Sequence, residues 1–309
     1  MRWRFPAISL AVAVGLIGLP FVWPAGLELS TVILFWIGLA GCWNLMSGYT
    51  GYIDFGSATY VGVGSYAAGI MMTKVGWGMF PAVGAAGLVC AFLALMVGYP
   101  TLRLRGAYFA IATFALAEAM QAVAEEWSGL TGGGIGLTIP MKMIKLGDLN
   151  YYFLYLGLAA FIFFLTLVID RGRMGFALKA IHQNEHAAAQ VGVNTHSVKM
   201  TAYCLSAFLI GILGSLDAIR VSGYFIPKDV FDVHITIEMV IINLLGGMGT
   251  VLGPVVGASF LQIIKDFLGA RFEILYLVII GGVIVVIIMF WPRGIVGSLR
   301  GVTPRWRRR

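Results

Sequence analysis

The residues best equipped for chemistry sit in one polar island, Asp170 to Lys199, which reads DRGRMGFALKAIHQNEHAAAQVGVNTHSVK. Within it, His182, Glu185 and His186 match the H-x-x-E-H spacing of inverted zinc peptidases. There two imidazoles on one helical face hold a metal and the carboxylate serves as base. The surroundings argue against a metal. No third ligand is obvious beside them, and the only other histidines are His196, near the island's end, and His234. Solvated histidines on a docking helix are the plainer reading, so no metal site and no catalytic residue are expected. Four further polar residues lie in or beside strongly apolar runs: Asp54, Glu118, Glu238 and Asn243. A carboxylate at membrane depth is costly and normally faces the bundle interior or an aqueous path. These four are therefore candidates for a translocation pathway, with hydrogen-bonded ties between helices as the alternative. No G-x-x-x-x-G-K-[ST] and no Gly-Lys dipeptide occurs, so the chain has no P-loop for nucleotide phosphates. Any ATP, with its Mg, must be held by another chain, and no cofactor is expected here.

The elements that carry these residues are apolar almost throughout. The 309 residues are 60% hydrophobic and 11% charged, with mean hydropathy +0.91, whereas a soluble domain carries about 25% charged residues. The chain is thus an all-α polytopic membrane protein. Its net charge of +7 collects at Arg2, Arg4, Arg103, Arg105, the island and Arg305 to Arg309. That pattern suits contact with anionic lipid on the cytoplasmic side rather than with nucleic acid. Cys42, Cys90 and Cys204 all lie in apolar runs, which favours neither a disulfide framework nor a cysteine metal site. The opening MRWRFPAISLAVAVGLIGLPF has the charge and apolarity of a signal peptide but no convincing cleavage site, so it is read as a retained first span.

Hydropathy places about ten crossings: Pro6–Val22, Leu29–Met46, a third beginning in the Gly-rich SGYTGYIDFGS, Ala82–Val97, Ala107–Ala124, Tyr151–Ile169, Thr201–Ile219, two short arms Ile235–Leu245 and Ala258–Leu268 that either cross fully or re-enter, and Leu275–Trp291. Residues 125–150 form the longest outer loop and residues 293–309 a basic cytoplasmic tail, with both termini inside. Two glycine-rich breaks stand out. One holds Gly48, Gly51 and Gly56; the other holds Gly246, Gly247, Gly249 and Gly253. Short apolar arms around such breaks are typical of discontinuous transporter helices, and their similar rank in the two halves suggests an inverted repeat. Inside the island, Phe176 to Val191 lacks Pro and Gly and reads as an amphipathic helix. Phe176, Ala180, Ala187, Ala188 and Val191 form its apolar stripe, and Gly192 ends it.

Several stretches, in order, resemble one family: SGYTGYIDFGSATYVGVGSYAAG, LRLRGAYFAIATFALAEAM, GLTGGGIGL, the run from Arg171 to Leu216, TIEMVIINLLGGMGTVLGPVVGA and FWPRGIVG. Together they resemble LivM-type permeases of branched-chain amino-acid ABC importers. The resemblance implies a single transmembrane permease domain over residues 1–309 in a bacterial-type inner membrane, with a cytoplasmic coupling loop at residues 170–200. Implied partners are a homologous LivH-type permease, two cytoplasmic ATPase subunits carrying ATP and Mg, and a periplasmic or surface-tethered binding protein, alongside membrane lipid. Glu185, Ala187, Ala188 and Gly192 are similar to the E-x-A-A…G signature that importer permeases present to their ATPases, and Lys179 is counted with them as an ATPase-coupling residue. Branched-chain amino acids are the leading solute, with urea, short amides or aromatic acids as alternatives. An ion-coupled secondary transporter is the competing class. It would share broken helices and buried carboxylates but would have no use for an ATPase-docking helix.

Overall fold

The computed structural model describes residues 26–140, 144, 146–221 and 223–269, with residue 20 and the stretches 281–282 and 294–296. The expected first and last spans, and nearly all of the basic tail, lie outside the described residues. Helix α1, Leu27–Trp43, is apolar on all sides beyond Thr31 and runs on through a widened π-turn, Asn44–Gly48. Helix α2 is Ser57–Thr73, α3 Met79–Thr101 and α4 Ala107–Glu126. Helix α5, Asp148–Arg171, leads into two short helices, α6 Arg173–Gln183 and α7 Glu185–Gln190. Helix α8, Thr195–Val221, is followed by α9, Val233–Gly246, and α10, Gly253–Gly269.

Among the described residues, five helices are long and apolar enough to cross a membrane: α1 with its π-turn, α3, α4, α5 and α8. The chain is a multi-pass, all-α membrane protein. Helix α2, at 17 residues, rises about 26 Å at 1.5 Å per residue, and α9 and α10 are the two short arms expected around the second glycine break.

The burial pattern sorts the helices into layers. Helices α1, α2 and α8 are the inner layer: Leu39, Cys42, Trp43, Tyr60, Ile210 and Leu213 have almost no exposed surface. Helices α3, α4 and α5 show apolar outer faces instead, with Leu88, Phe92, Ile111, Phe161 and Phe164 exposed. Such a face is what hydrocarbon requires, because lipid is as apolar as the side chains it meets. Apolar burial therefore gives little help in bringing these helices together, and close contact of small residues does the work. A Cβ placed on Gly64 would stand 2.8 Å from the Gly211 Cα, and one on Gly214 would stand 2.7 Å from the Val61 Cα. Hydroxyls add ties within the inner layer: Ser65 Oγ donates to Gly214 O (3.1 Å) in the same α2–α8 seam, and Ser206 Oγ of α8 to Cys42 O of α1 (2.7 Å).

At the end of the bundle away from α6 and α7, the 125–150 segment joins the turn after α8. Strands β1, Leu137–Thr138, and β2, Tyr224–Phe225, pair antiparallel with Leu137 opposite Phe225. Ile139 N also donates to Gly223 O (2.6 Å), and Lys74 Nζ to Gly129 O (2.6 Å). The 125–150 segment, read from sequence as the longest outer loop, thus meets the turns after α2 and α8 at one end.

The α2–α8 seam yields a direct test. Gly64→Val should force the helices apart and cost about 1–3 kcal/mol, the usual range for overpacking. The readout is a lower Tm in detergent, whereas Gly84→Val, at a position with open space around its Cα, should leave Tm within error.

Candidate functional site

The two glycine breaks lie against each other, and one side chain spans them. Asn44, in the π-turn ending α1, accepts from Gly249 N through Oδ1 (2.9 Å) and donates to Thr250 O through Nδ2 (3.0 Å). Backbone that leaves helical form at membrane depth must find partners within the protein, and Asn44 supplies two of them. Thr250 supplies two more, donating to Gly247 O (2.8 Å) and accepting from Gly253 N (3.0 Å). Gly249 has φ +67, a left-handed conformation that glycine adopts without a Cβ penalty. Gly246 ends α9, Gly247 caps it and Gly253 opens α10.

The first break is ordered by Asp54, which is 4% exposed. Its carboxylate accepts from Gly56 N (2.8 Å) and Ser57 Oγ (2.7 Å) at the start of α2, where the helix dipole favours negative charge. Its own backbone is held as well. Asp54 N donates to Ser47 Oγ (3.1 Å), and Trp43 Nε1 donates to Asp54 O (2.8 Å). Gly48 closes the π-turn, and Gly51 has φ +76 between the two helices.

This unwound segment is stitched to the polar island. Tyr49 OH donates to Asp170 Oδ1 (2.9 Å), which also pairs with Lys179 Nζ (2.6 Å). Gly51 lies under the His182 ring. Tyr52 OH donates to Glu185 Oε2, and Glu185 Oε1 pairs with Lys199 Nζ (2.6 Å). Lys199 is 2% exposed. Its ammonium also donates to Leu102 O (3.1 Å) and stands 4.4 Å from the Tyr52 ring centre, a cation–π contact. A single lysine head thus joins α8, α7, the end of α3 and the first break. Burial alone would raise the Glu185 carboxyl pKa; Lys199 and Tyr52 outweigh it and hold the group below its usual 4.5.

The island itself differs from the single amphipathic helix expected. Asn184, in extended conformation, splits it into α6 and α7, and its side chain caps α7 by accepting from Ala187 N (3.1 Å). The split resets the helical phase, so the expected stripe does not pack as one. Gly175, Leu178, Ile181 and Ala188 are buried, while Phe176 is 66% and Val191 80% exposed. Ala187 and Gly192 are exposed too, and Gly192 has φ +89 at the end of the element. Glu185 faces inward, away from that surface. His186 contacts Arg105.

The remaining sequence candidates divide. Glu238 Oε1 accepts from Gln262 Nε2 (2.6 Å) and Lys265 Nζ (2.7 Å), tying α9 to α10. Asn243 Nδ2 donates to Ala40 O (2.9 Å) and Met239 O (2.8 Å), tying α9 to α1. Glu118 stands on the exposed face of α4, in line with Tyr108 and Ile111. Sequence reading passed over Asn44, Tyr49, Tyr52 and Leu102. The signal for the first three was present: an amide and two phenols beside a glycine break, each needing a partner if buried.

The family described as "Branched-chain amino acid transport system / permease component" matches residues 26–288. The high-affinity branched-chain amino acid transport system permease protein LivM of Escherichia coli is 25% identical over 93% of this chain and 75% of its own length. A probable branched-chain amino acid transport permease protein LivM of Methanocaldococcus jannaschii is 23% identical, over 92% of this chain and 97% of its own. The autoinducer 2 import system permease protein LsrD of Klebsiella pneumoniae is 25% identical over 68% of this chain and 65% of its own. No solved structure matches.

Removing Lys199 should be costly. Lys199→Met leaves Glu185 charged and largely enclosed, and breaking such a pair costs about 3–5 kcal/mol; the double variant Glu185→Gln/Lys199→Met should recover part of it. The pH dependence has a defined sign. A carboxyl held below 4.5 contributes stability that is fully present above pH 4.5 and is lost as pH falls through its lowered value. Tm measured from pH 7 downward should therefore show an acid decline that Glu185→Gln shifts or removes.

Proposed function

Because the chain belongs to the family of branched-chain amino acid transport permease components, we propose that it forms half of the membrane pathway of an ATP-driven amino-acid importer. In this reading the chain lies in the inner membrane with its island in the cytoplasm. It pairs with a homologous permease, docks on two ATPase subunits that hold ATP and Mg, and receives solute from a binding protein on the outer side. Branched-chain amino acids are the substrate class, in keeping with the names of the LivM relatives.

The observation that carries the proposal is the exposed apolar surface of the island. Phe176 and Val191 stand out from a segment otherwise rich in charge, beside exposed Ala187 and Gly192. Large apolar side chains in that setting mark a protein contact. The ATPase is its occupant, held by small residues that let it approach closely. Lys179 lies at the edge of this surface and Glu185 works from beneath, fixing α7 to Lys199 and Tyr52. Displacement of α6 and α7 on ATP binding then pulls on the first glycine break directly and on the second through Asn44.

The pathway runs along the seam between the two permeases. Glu118 supports this: its carboxylate, mid-helix on an outward face of α4, is expensive against lipid and well placed against a partner chain or water. Asp54, Glu238 and Asn243 act one step back, holding the breaks and short helices beside that seam.

Two outcomes test the reading. Phe176→Asp/Val191→Asp should keep the yield and Tm of the chain yet lose the ATPase subunits on co-purification from cells expressing all components. Glu118→Ala should cut ATP-dependent leucine uptake at least tenfold, about 1.4 kcal/mol or more, with the ATPases still bound. Uptake that continues without ATP while a proton gradient is maintained would instead favour an ion-coupled carrier.

A further inference from the structure

The end of the bundle away from the island contains two adjoining cavities of about 460 and 360 Å³, within the usual range of small-molecule sites, about 300–1,000 Å³. They follow one face of α1: Leu27, Glu28 and Thr31 line the outer cavity, and Phe35 and Trp36 the inner one. Val221, at the end of α8, lines both. Their chemistry differs. The outer cavity is polar, with Glu28, Asp148, Arg220 and Tyr151. Tyr151 is 3% exposed, and its hydroxyl has no hydrogen-bond partner among the described residues. The inner cavity is mainly apolar, with Phe35, Val61, Phe225, Val230 and Ile235, and two carboxylates, Asp217 and Asp229, at its wall.

Between the cavities stands the Arg220–Asp217 pair. Both Nε and Nη2 of Arg220 lie 3.3 Å from Asp217 Oδ1. Charge-assisted bonds normally measure about 2.7–2.9 Å, and the other ion pairs among the described residues lie at 2.6–2.7 Å. This pair is the loosest of them. A zwitterion can enter it by exchange, its carboxylate taking Arg220 and the Tyr151 hydroxyl while its ammonium takes Asp217. The charges then remain compensated throughout, and a side chain attached between the two groups points into the apolar chamber.

We propose that this crevice, between the outer ends of α1 and α8, is a binding site for a free α-amino acid with a branched aliphatic side chain on its way into the transporter. The proposal rests on the importer reading given above and adds a location and a side-chain selectivity inside this chain. An ethanolamine phospholipid headgroup also carries an ammonium and an anion, but its tails would have to leave a chamber shaped for a short side chain.

The test uses the assembled transporter with its binding protein in proteoliposomes. Ile235→Trp narrows the chamber and should reduce labelled leucine uptake at least tenfold while reducing labelled alanine uptake less than threefold. Arg220→Gln should raise the KM for leucine at least tenfold with binding-protein-stimulated ATP hydrolysis retained. Wild-type leucine KM and an unchanged leucine-to-alanine ratio in both variants would overturn the site while leaving the importer reading intact. No leucine or alanine uptake by the wild type would overturn the importer reading itself. Repeating the variants in bilayers of phosphatidylglycerol alone separates the occupants: effects that persist support the amino acid, and effects that vanish assign the crevice to the ethanolamine headgroup.

Discussion

The contact between Lys199 and Glu185 joins the membrane-embedded helices to the polar island. An ammonium with almost no exposed surface needs a counter-charge and further acceptors, and here they come from Glu185 and Leu102 O, with the Tyr52 ring beside it. Those partners belong to three different segments, and the lysine itself to a fourth. None can shift alone without leaving a buried charge short of a partner, which makes the contact a constraint on motion as much as a source of stability. The ion pair has no obligation to be strongly stabilising, since desolvation offsets much of the attraction. Its consequence is that α7 and the first glycine break move together.

The second consequence follows from the two breaks lying side by side. A transporter needs places where helices can bend, and such places expose backbone groups that lipid cannot satisfy. This chain meets both demands by letting each break satisfy the other. Asn44 bonds across to Gly249 and Thr250, while Asp54 and Thr250 complete the bonds locally. A path therefore leads from the island to the first break through Glu185 and Tyr52, and Asn44 ties that break to the second. Around that path the outer helices can afford plain apolar faces.

Much of this was legible in the sequence, and the reason is physical. In a chain that is mostly apolar, a polar residue or a glycine cluster carries unusual information because each has a cost that must be offset. The island, both breaks and the short arms flanking the second one were all visible in that way. What hydropathy could not reveal was pairing. Glu185 looked like part of a docking surface; the structure turns it inward to Lys199, and the exposed features beside it are Phe176 and Val191 instead. Asn184 looked helix-compatible in a window rich in helix formers, yet as an N-cap it splits the element and changes which residues share a face. Glu238 and Asn243 were noticed for being polar in apolar runs, but their partners Gln262, Lys265 and Ala40 are set by tertiary contacts that no local pattern encodes.

In the proposed importer, the island and the first break move as one body relative to the outer end. Spin labels on Val191 and Ile53, both exposed, and on Ile53 with Tyr224 at the outer end, would measure it by pulsed distance spectroscopy in the assembled transporter. The account predicts that adding ATP leaves the Val191–Ile53 distance unchanged and shifts the Ile53–Tyr224 distance. A Val191–Ile53 distance that changes with ATP while Ile53–Tyr224 stays fixed would contradict it.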